Sequence, residues 1–375
     1  MTNIATHFKT MKQRTYIIFS LFIFLAFANA NCLRAQDNHV ADSIGKMEDK
    51  HGAHEQKDFS EVIMEHILDA HEWHIFSYKD KHVSVPLPVI LIDNGKLVSF
   101  CSGRFHHGTE IYNGYKLCGK SDFEGKYEGK IVRVNANNEV ESVPLDFSIT
   151  KNVVALFISI FILLIIFIPL AKKYEKRENQ APKGFQAFVE PVIQFVIDDV
   201  IKPNVGEKYY FKYTPYLLTL FFFILINNLM GLIPFFPFGA NLTGNIAITL
   251  VLSVLTLLIV NFSGRKSYWK HIFAAPGVPV WLMPIMIPVE LIGVISKPFA
   301  LMVRLFANIT AGHIIVLSLI GLIFIFQSVF IAPVSIAFVL FMDLLELLVA
   351  FLQAYIFTLL TSLFIGMAVA EPEHH

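Results

Sequence analysis

From residue 151 onward, apolar residues run in long unbroken stretches. Before that point they alternate with polar residues or recur at short intervals. "VVALFISIFILLIIFIPL" (153–170) is long enough to cross a hydrocarbon core of ~30 Å as a helix. "YLLTLFFFILINNLMGLIP" (216–234) and "NIAITLVLSVLTLLIVNF" (245–262) follow it. The pattern predicts membrane spans at about 153–170, 214–234 and 245–262, then two longer segments at about 284–327 and 334–370. The first long segment would measure ~66 Å as one helix, about twice the core thickness. It must therefore cross twice or run at a steep tilt. Pro288 and Pro298 permit kinks, but "ISKPFA" is the only polar turn inside it. We favour two long tilted helices forming an antiparallel hairpin that turns at "QSVFIAP" (327–333). Between the first two spans, "FQAFVEPVIQFVIDDVI" (185–201) is amphipathic and predicts a helix lying on the membrane surface.

The earlier part reads differently. "FSEVIMEHILDAHEWHIF" (59–76) spaces Val62, Ile63, Ile67, Ala70 and Trp73 on one helical face. "HVSVPLPVILI" and "KLVSFC" flank the turn Asp93-Asn94-Gly95, which predicts a β-hairpin. A second hairpin is predicted for "KYEGKIVRVN" and "EVESVPLDFSI" around Ala136-Asn137-Asn138. Residues of about 75–147 thus form a small antiparallel β domain. The fold class is mainly α, a polytopic membrane protein, with a β-rich region at 37–150 and a membrane domain at 151–375.

Composition strengthens this reading. The chain of 375 residues is 55% hydrophobic and 16% charged, with 36 phenylalanines and a mean hydropathy of +0.57. A soluble domain of this length is excluded. Lys9, Lys12 and Arg14 precede the short apolar core 16–28, so residues 1–36 read as a signal peptide cleaved after Ala30 or Ala35. An uncleaved anchor is the other reading, and Cys32 raises a lipoprotein, although Asn31 fits such sites poorly. Export of residues 37–150 would let Cys101 and Cys118 pair; two unrelated thiols are the alternative. "KKYEKR" (172–177) and the group Arg265, Lys266 and Lys270 mark the cytoplasmic side. These charges predict a bacterial inner-membrane protein with a periplasmic N-terminal domain and a cytoplasmic C-terminus.

Nine of the fourteen histidines fall between 39 and 107. His51 with His54, and His71 with His74, have metal-compatible spacing but lack matching cysteine or carboxylate ligands, so surface histidines are the better reading. No metal site, cofactor or nucleic-acid partner is expected.

The chemistry concentrates in the last two long segments. Across 284–370 the only full charges are Glu290, Lys297, Arg304, Asp343 and Glu346, with His313 as a further titratable group. Glu290, Lys297 and Arg304 recur every seven residues and line one helical face at ~10 Å intervals. Asn308 and Ala311 continue that face, while His313 turns to the opposite side. In an antiparallel hairpin, Arg304 level with Gln353 and His313 level with Glu346 both place the turn at 328 or 329. That is inside the break that hydropathy alone selects. His313 and Glu346 then meet nearer the exterior, Asp343 lies further out, and Glu290 lies toward the cytoplasm. Intramembrane ionisable groups mark ion paths, and a His–Glu pair suits proton transfer. Arginine stays protonated and acts as a fixed charge. Within this chain Arg304 has no acid at its depth, so its partner carboxylate is expected on another subunit.

The segments "PKGFQAFVEPVIQFV", "YLLTLFFFILINNLMGLIP", "SKPFALMVRLFANITAGH" and "LLELLVAFLQAYIFTLLTSLF" resemble those of the a subunits of F-type ATP synthases over roughly residues 180–370. The resemblance implies a proton-translocating stator that is not itself an enzyme. It would sit beside an oligomeric c-ring, with peripheral-stalk b subunits and other ATP synthase subunits as partners. It further implies that Arg304 faces the c-ring carboxylate, supported by Asn308 and Gln353. His313 and Glu346 would line the exterior half-channel, and Glu290 would serve the cytoplasmic one. Many bacterial members carry the acid on the earlier helix and the histidine on the later one; here the order is reversed, as in the mitochondrial type. A stand-alone channel or secondary transporter is the alternative, but it should show internal repeats and an acid for Arg304, and neither is found. A membrane haem protein would need paired axial histidines, and only His313 lies well inside a span.

Overall fold

The computed structural model describes residues 69–78, 81–106, 108–119, 122–135, 137–176, 184–233, 238–273, 279–326 and 332–371. The expected signal peptide, the polar stretch to residue 58, His51 and His54, and most of the "QSVFIAP" turn lie outside them. The described residues fall into two units, one of β-strands with the start of the first long helix, the other helical.

Among the described residues the first unit holds eight strands: β1 (Glu72–Tyr78), β2 (Lys81–Pro86), β3 (Pro88–Asp93), β4 (Lys96–Cys101), β5 (Tyr115–Leu117), β6 (Ile131–Val134), β7 (Val140–Ser142) and β8 (Leu145–Asp146). Every pairing of these strands is antiparallel. β1 pairs with β2, β4-β3-β8 form a three-stranded sheet, and β5-β6-β7 form another. Asn94 and Gly95, both at positive φ, close the β3–β4 hairpin. That is the conformation this dipeptide adopts at little cost. Val89, Leu91, Phe105, Tyr115 and Ile131 make the core between the two larger sheets.

Two sequence expectations are corrected here. The helical face ending at Trp73 gives way to β1 from Glu72 onward; aromatic and β-branched residues there take the ladder that β2 offers. "HVSVPLPVILI" is two strands, not one. Pro86 and Pro88 cannot donate to a ladder, so the chain changes sheet at Leu87, whose N–H donates to Ser102 Oγ at 2.9 Å. Strand β5 was not expected, nor was β8 as a partner of β3. Cys118 is a free, buried thiol, so it does not pair with Cys101.

The remaining structure is helical: α1 (Lys151–Lys176), α2 (Phe185–Phe195), α3 (Lys202–Val205), α4 (Tyr210–Leu232), α5 (Ile246–Ser263), α6 (Lys266–Phe273), α7 (Met283–Phe326) and α8 (Ala332–Val369). Five of them, α1, α4, α5, α7 and α8, are long and apolar enough to cross a membrane. The chain is a mainly helical, multi-pass membrane protein with a set of N-terminal strands.

α7 runs 44 residues without a break although Pro288 and Pro298 lie inside it. In hydrocarbon an interrupted backbone would expose unbonded polar groups, so a helix tolerates two prolines more readily than an end. α8 continues for 38 residues. The two pack in antiparallel order, with Ser335 donating to the Leu319 carbonyl, His313 beside Glu346, and the Lys297 ammonium over the Phe364 ring. α4 lies along α8, with Leu217, Phe221 and Ile224 of α4 and Ala354, Phe357 and Ile365 of α8 in one core. Between α2 and α3, residues Val196–Ile201 form a π-helical turn. The turn delivers the Asn204 carbonyl to Gly366 of α8, so close that any Cβ there would collide with backbone.

Candidate functional site

α7 divides its residues by face. Pro298, Leu301, Met302 and Leu305 are buried against the bundle, at helical spacing. Arg304, Asn308 and Ala311 fall on the other side and are exposed. Among the described residues no carboxylate lies within ion-pair distance of Arg304, and no hydrogen bond joins it to Gln353. Ala300, Ala307 and Ile315 of α7 are exposed on the same side, so the surface around it is apolar.

Nine residues further on, half a turn round the helix, the situation reverses. His313 turns toward α8, and its Nδ1 lies 3.7 Å from Glu346 Oε1. Both side chains are largely covered, at 12% and 13% exposure. That separation suits an ion pair but is too long for a hydrogen bond, and Glu346 Oε1 has no hydrogen-bond partner among the described residues. The room for the carboxylate there comes from a missing side chain. A Cβ on Gly312 would collide with Glu346 Oε1 and lie 3.2 Å from its Cγ. Gly312 is thus a notch on α7 into which Glu346 folds.

The other expected residues are distributed along the same two helices. Gln353 is buried, two turns beyond Glu346 on α8. Asp343 is exposed, about one turn before Glu346. Glu290 is half-buried near the start of α7, and its charge, after burial, helps raise the Tyr268 hydroxyl above the usual phenol range. Tyr268, Thr256, Lys297 and Phe364 line a small cavity at that end of the bundle.

Sequence reasoning left two features of this region out of the site. Asn228 of α4 donates to the Ala350 carbonyl at 3.1 Å, between Glu346 and Gln353 on α8. Its Oδ1, like Thr310 Oγ1, is buried with no partner among the described residues. The doublet Asn227-Asn228 in an apolar span was the available signal; which helix it faced was not. Gly312 gave no signal at all, because a glycine in a helix reads the same whether or not something fills its place.

Residues 153–366 match the family described as ATP synthase A chain. The chain belongs to the ATP synthase A chain family. It is 49% identical over 242 residues to ATP synthase subunit a of Chloroherpeton thalassium, covering 63% of this chain and 71% of the relative. ATP synthase subunit a 2 of Chlorobaculum tepidum is 49% identical over 243 residues, covering 63% and 67%. ATP synthase subunit a of an Anaeromyxobacter species is 43% identical over 255 residues, covering 66% and 60%. Residues 62–147 match a second family, described as a domain of unknown function (DUF8433). As a member of the ATP synthase A chain family the protein is a proton-translocating, non-catalytic membrane component of the synthase.

Proposed function

We propose that α7 and α8 form two offset half-channels against a c-ring, with Arg304 as the electrostatic divider between them. The observation that carries this is the facing of Arg304: an arginine exposed on an apolar helix surface, with no carboxylate of the described chain within reach. A permanent cation in that setting is costly unless a partner supplies the counter-charge. A ring of identical carboxylates passing one at a time supplies it without a fixed bond.

The path follows from the groups on either side. A proton enters by way of His313 and Glu346, since imidazole as a class titrates near physiological pH. Asn228, Thr310 and Gln353 continue the polar lining toward Arg304. The unpartnered oxygens of Asn228 and Thr310 suit a hydrated path. The proton neutralises a c-ring carboxylate, which then enters lipid. An ionised carboxylate would lose several kcal/mol in that transfer, so rotation waits on protonation. After nearly a full turn the proton leaves through the half-channel served by Glu290. Arg304 stabilises the ionised carboxylate between the two events and bars a continuous proton wire. Asn308, on the same face, helps position it, and Asp343 lies toward the exterior mouth.

The orientation we propose places residues 37–150 outside and the C-terminus inside, in a bacterial inner membrane. Glu371 accepts hydrogen bonds from Lys208, Tyr209 and Arg265. The start of α4, the end of α5 and the end of α8 therefore share one side, and the basic residues there favour the cytoplasm. Long tilted α7 and α8, a surface-lying α2 and peripheral-stalk b subunits complete the reading.

Replacing Arg304 by Ala is the decisive test. ATP-driven acidification of inverted vesicles should be lost, with a passive proton leak in its place. Normal coupled synthesis in that variant would overturn the assignment.

A further inference from the structure

The β4-β3-β8 sheet carries an outer face unlike one built for water. β3 turns Val89, Leu91 and Asp93 inward, which leaves Ile90 and Ile92 on the outer side. Ile92 pairs with Leu97 of β4 on one flank and with Leu145 of β8 on the other. Phe147, whose N–H donates to the Ile90 carbonyl at 2.9 Å, extends the row. Leu97, Leu145 and Phe147 are 70%, 66% and 62% exposed. An antiparallel sheet with one solvated face normally places polar residues at such positions. The companion sheet shows the contrast. Its outer side is covered by residues of the 118–130 segment, where Cys118, Phe123 and Tyr127 pack on Val132 and Val134.

The same unit shows what lies near this face. Phe147 is four residues from Lys151, where α1 begins, so ~14 Å of chain at most separates them. Residues 69–71, just before β1, make three bonds there, two to the start of α1 and one to β8. Ala70 O accepts from Lys151 N–H at 2.9 Å, Asp69 Oδ1 from Asn152 N–H at 3.1 Å, and His71 Nε2 meets Asp146 Oδ2 at 2.9 Å. Trp73, 4% exposed, packs on Ala155 with Val154 and Ile158 against it. Ile158 lies ~10 Å along α1 from its first residue. The base of the β domain therefore overlaps the first turns of a helix that the functional reading takes as a membrane span.

We propose that the outer face of β4-β3-β8, centred on Ile92, Leu97, Leu145 and Phe147, rests on the lipid leaflet into which α1 inserts. The occupant is bilayer lipid, because the face is apolar, its β8 edge runs through Phe147 into the chain entering the membrane, and residues 69–71 bridge β8 to the start of that helix. A contiguous patch of this kind on a tethered domain marks an interaction surface. The inference rests on α1 being a span.

The test places photoreactive p-benzoylphenylalanine, one site at a time, at Leu97, Leu145 and Phe147 of the full chain. Glu139, in an exposed polar turn, is the negative site, and Ile165, exposed midway along α1, is the positive one. The protein is reconstituted in vesicles of phosphatidylcholine and phosphatidylglycerol, and separately labelled within the assembled synthase. Phospholipid adducts by mass spectrometry at the three face positions and at Ile165, with none above background at Glu139, are expected. Adducts to another polypeptide at the face positions, equal lipid labelling at Glu139, or no lipid at the face while Ile165 labels would overturn the proposal. Failure of Ile165 itself would overturn the reading of α1 on which it rests.

Discussion

At the scale of single residues, the site depends on what surrounds each charge more than on the charges themselves. Glu346 lies beside His313 because Gly312 leaves room for it. We predict that Gly312→Ala pushes the flexible Glu346 side chain out of the notch and slows proton flux through the intact complex by about tenfold, the equivalent of about 1.4 kcal/mol in the barrier. An unchanged flux in Gly312→Ala would remove the notch from the argument. Asn228→Ala deletes one interhelical bond, worth about 0.6 kcal/mol on average in membranes. If it only fastens helices, stability in detergent falls slightly and flux survives; a loss of flux well beyond the loss of stability is the expected result for a residue lining the path.

At the scale of elements, the two long helices were legible because their apolar runs are about twice a span in length and hold almost no polar turn. Continuity through Pro288 and Pro298 was not decidable from pattern, since prolines permit a kink without requiring one. The β2–β3 break was hidden for a different reason. Alternation continues through "HVSVPLPVILI", and only the partners on either side show that the strands belong to different sheets. Close approach of elements is equally invisible in sequence. Gly366 accepts the backbone of α3 against α8, so Gly366→Ala should cost about 1–3 kcal/mol and lower the thermal midpoint in detergent. An unchanged midpoint would show that α3 can move away freely. The end of α8 is fastened by Glu371, whose carboxyl is held down to about 2, chiefly by the hydrogen bond from Lys208 and then by Tyr209 and Arg265. Its charge therefore persists through the physiological range. Lys208→Glu should increase protease access to the C-terminus near neutral pH.

At the scale of the whole molecule, the β domain and the helical unit have separate cores. The buried Asp93 carboxylate accepts from Arg133 at 2.7 Å, from Tyr115 at 3.0 Å and from Ser142 at 3.4 Å. The Arg133 bond leads in holding its carboxyl below the ordinary value of 3.8, against the opposing effect of burial. A depressed folded value means the stabilisation is fully present above that ordinary value and is lost as pH falls through the folded one. The domain's tertiary circular dichroism should therefore be flat from neutral pH down to about pH 5 and fall only in stronger acid. Asp93→Asn should lose part of that acid dependence.

The amino-acid order by itself determined the membrane class, the number of long apolar segments, the level along the helix pair at which His313 meets Glu346, and the oddity of Arg304. Those follow from hydropathy and from the fixed rise and turn of a helix, which need no partner. Tertiary structure alone decided that Arg304 faces outward while Gln353 is buried, that Gly312 makes room for an acid, and that Leu97, Leu145 and Phe147 share one exposed sheet face. Each of these depends on which surfaces are brought together, and a side chain's environment is set by neighbours that are distant along the chain.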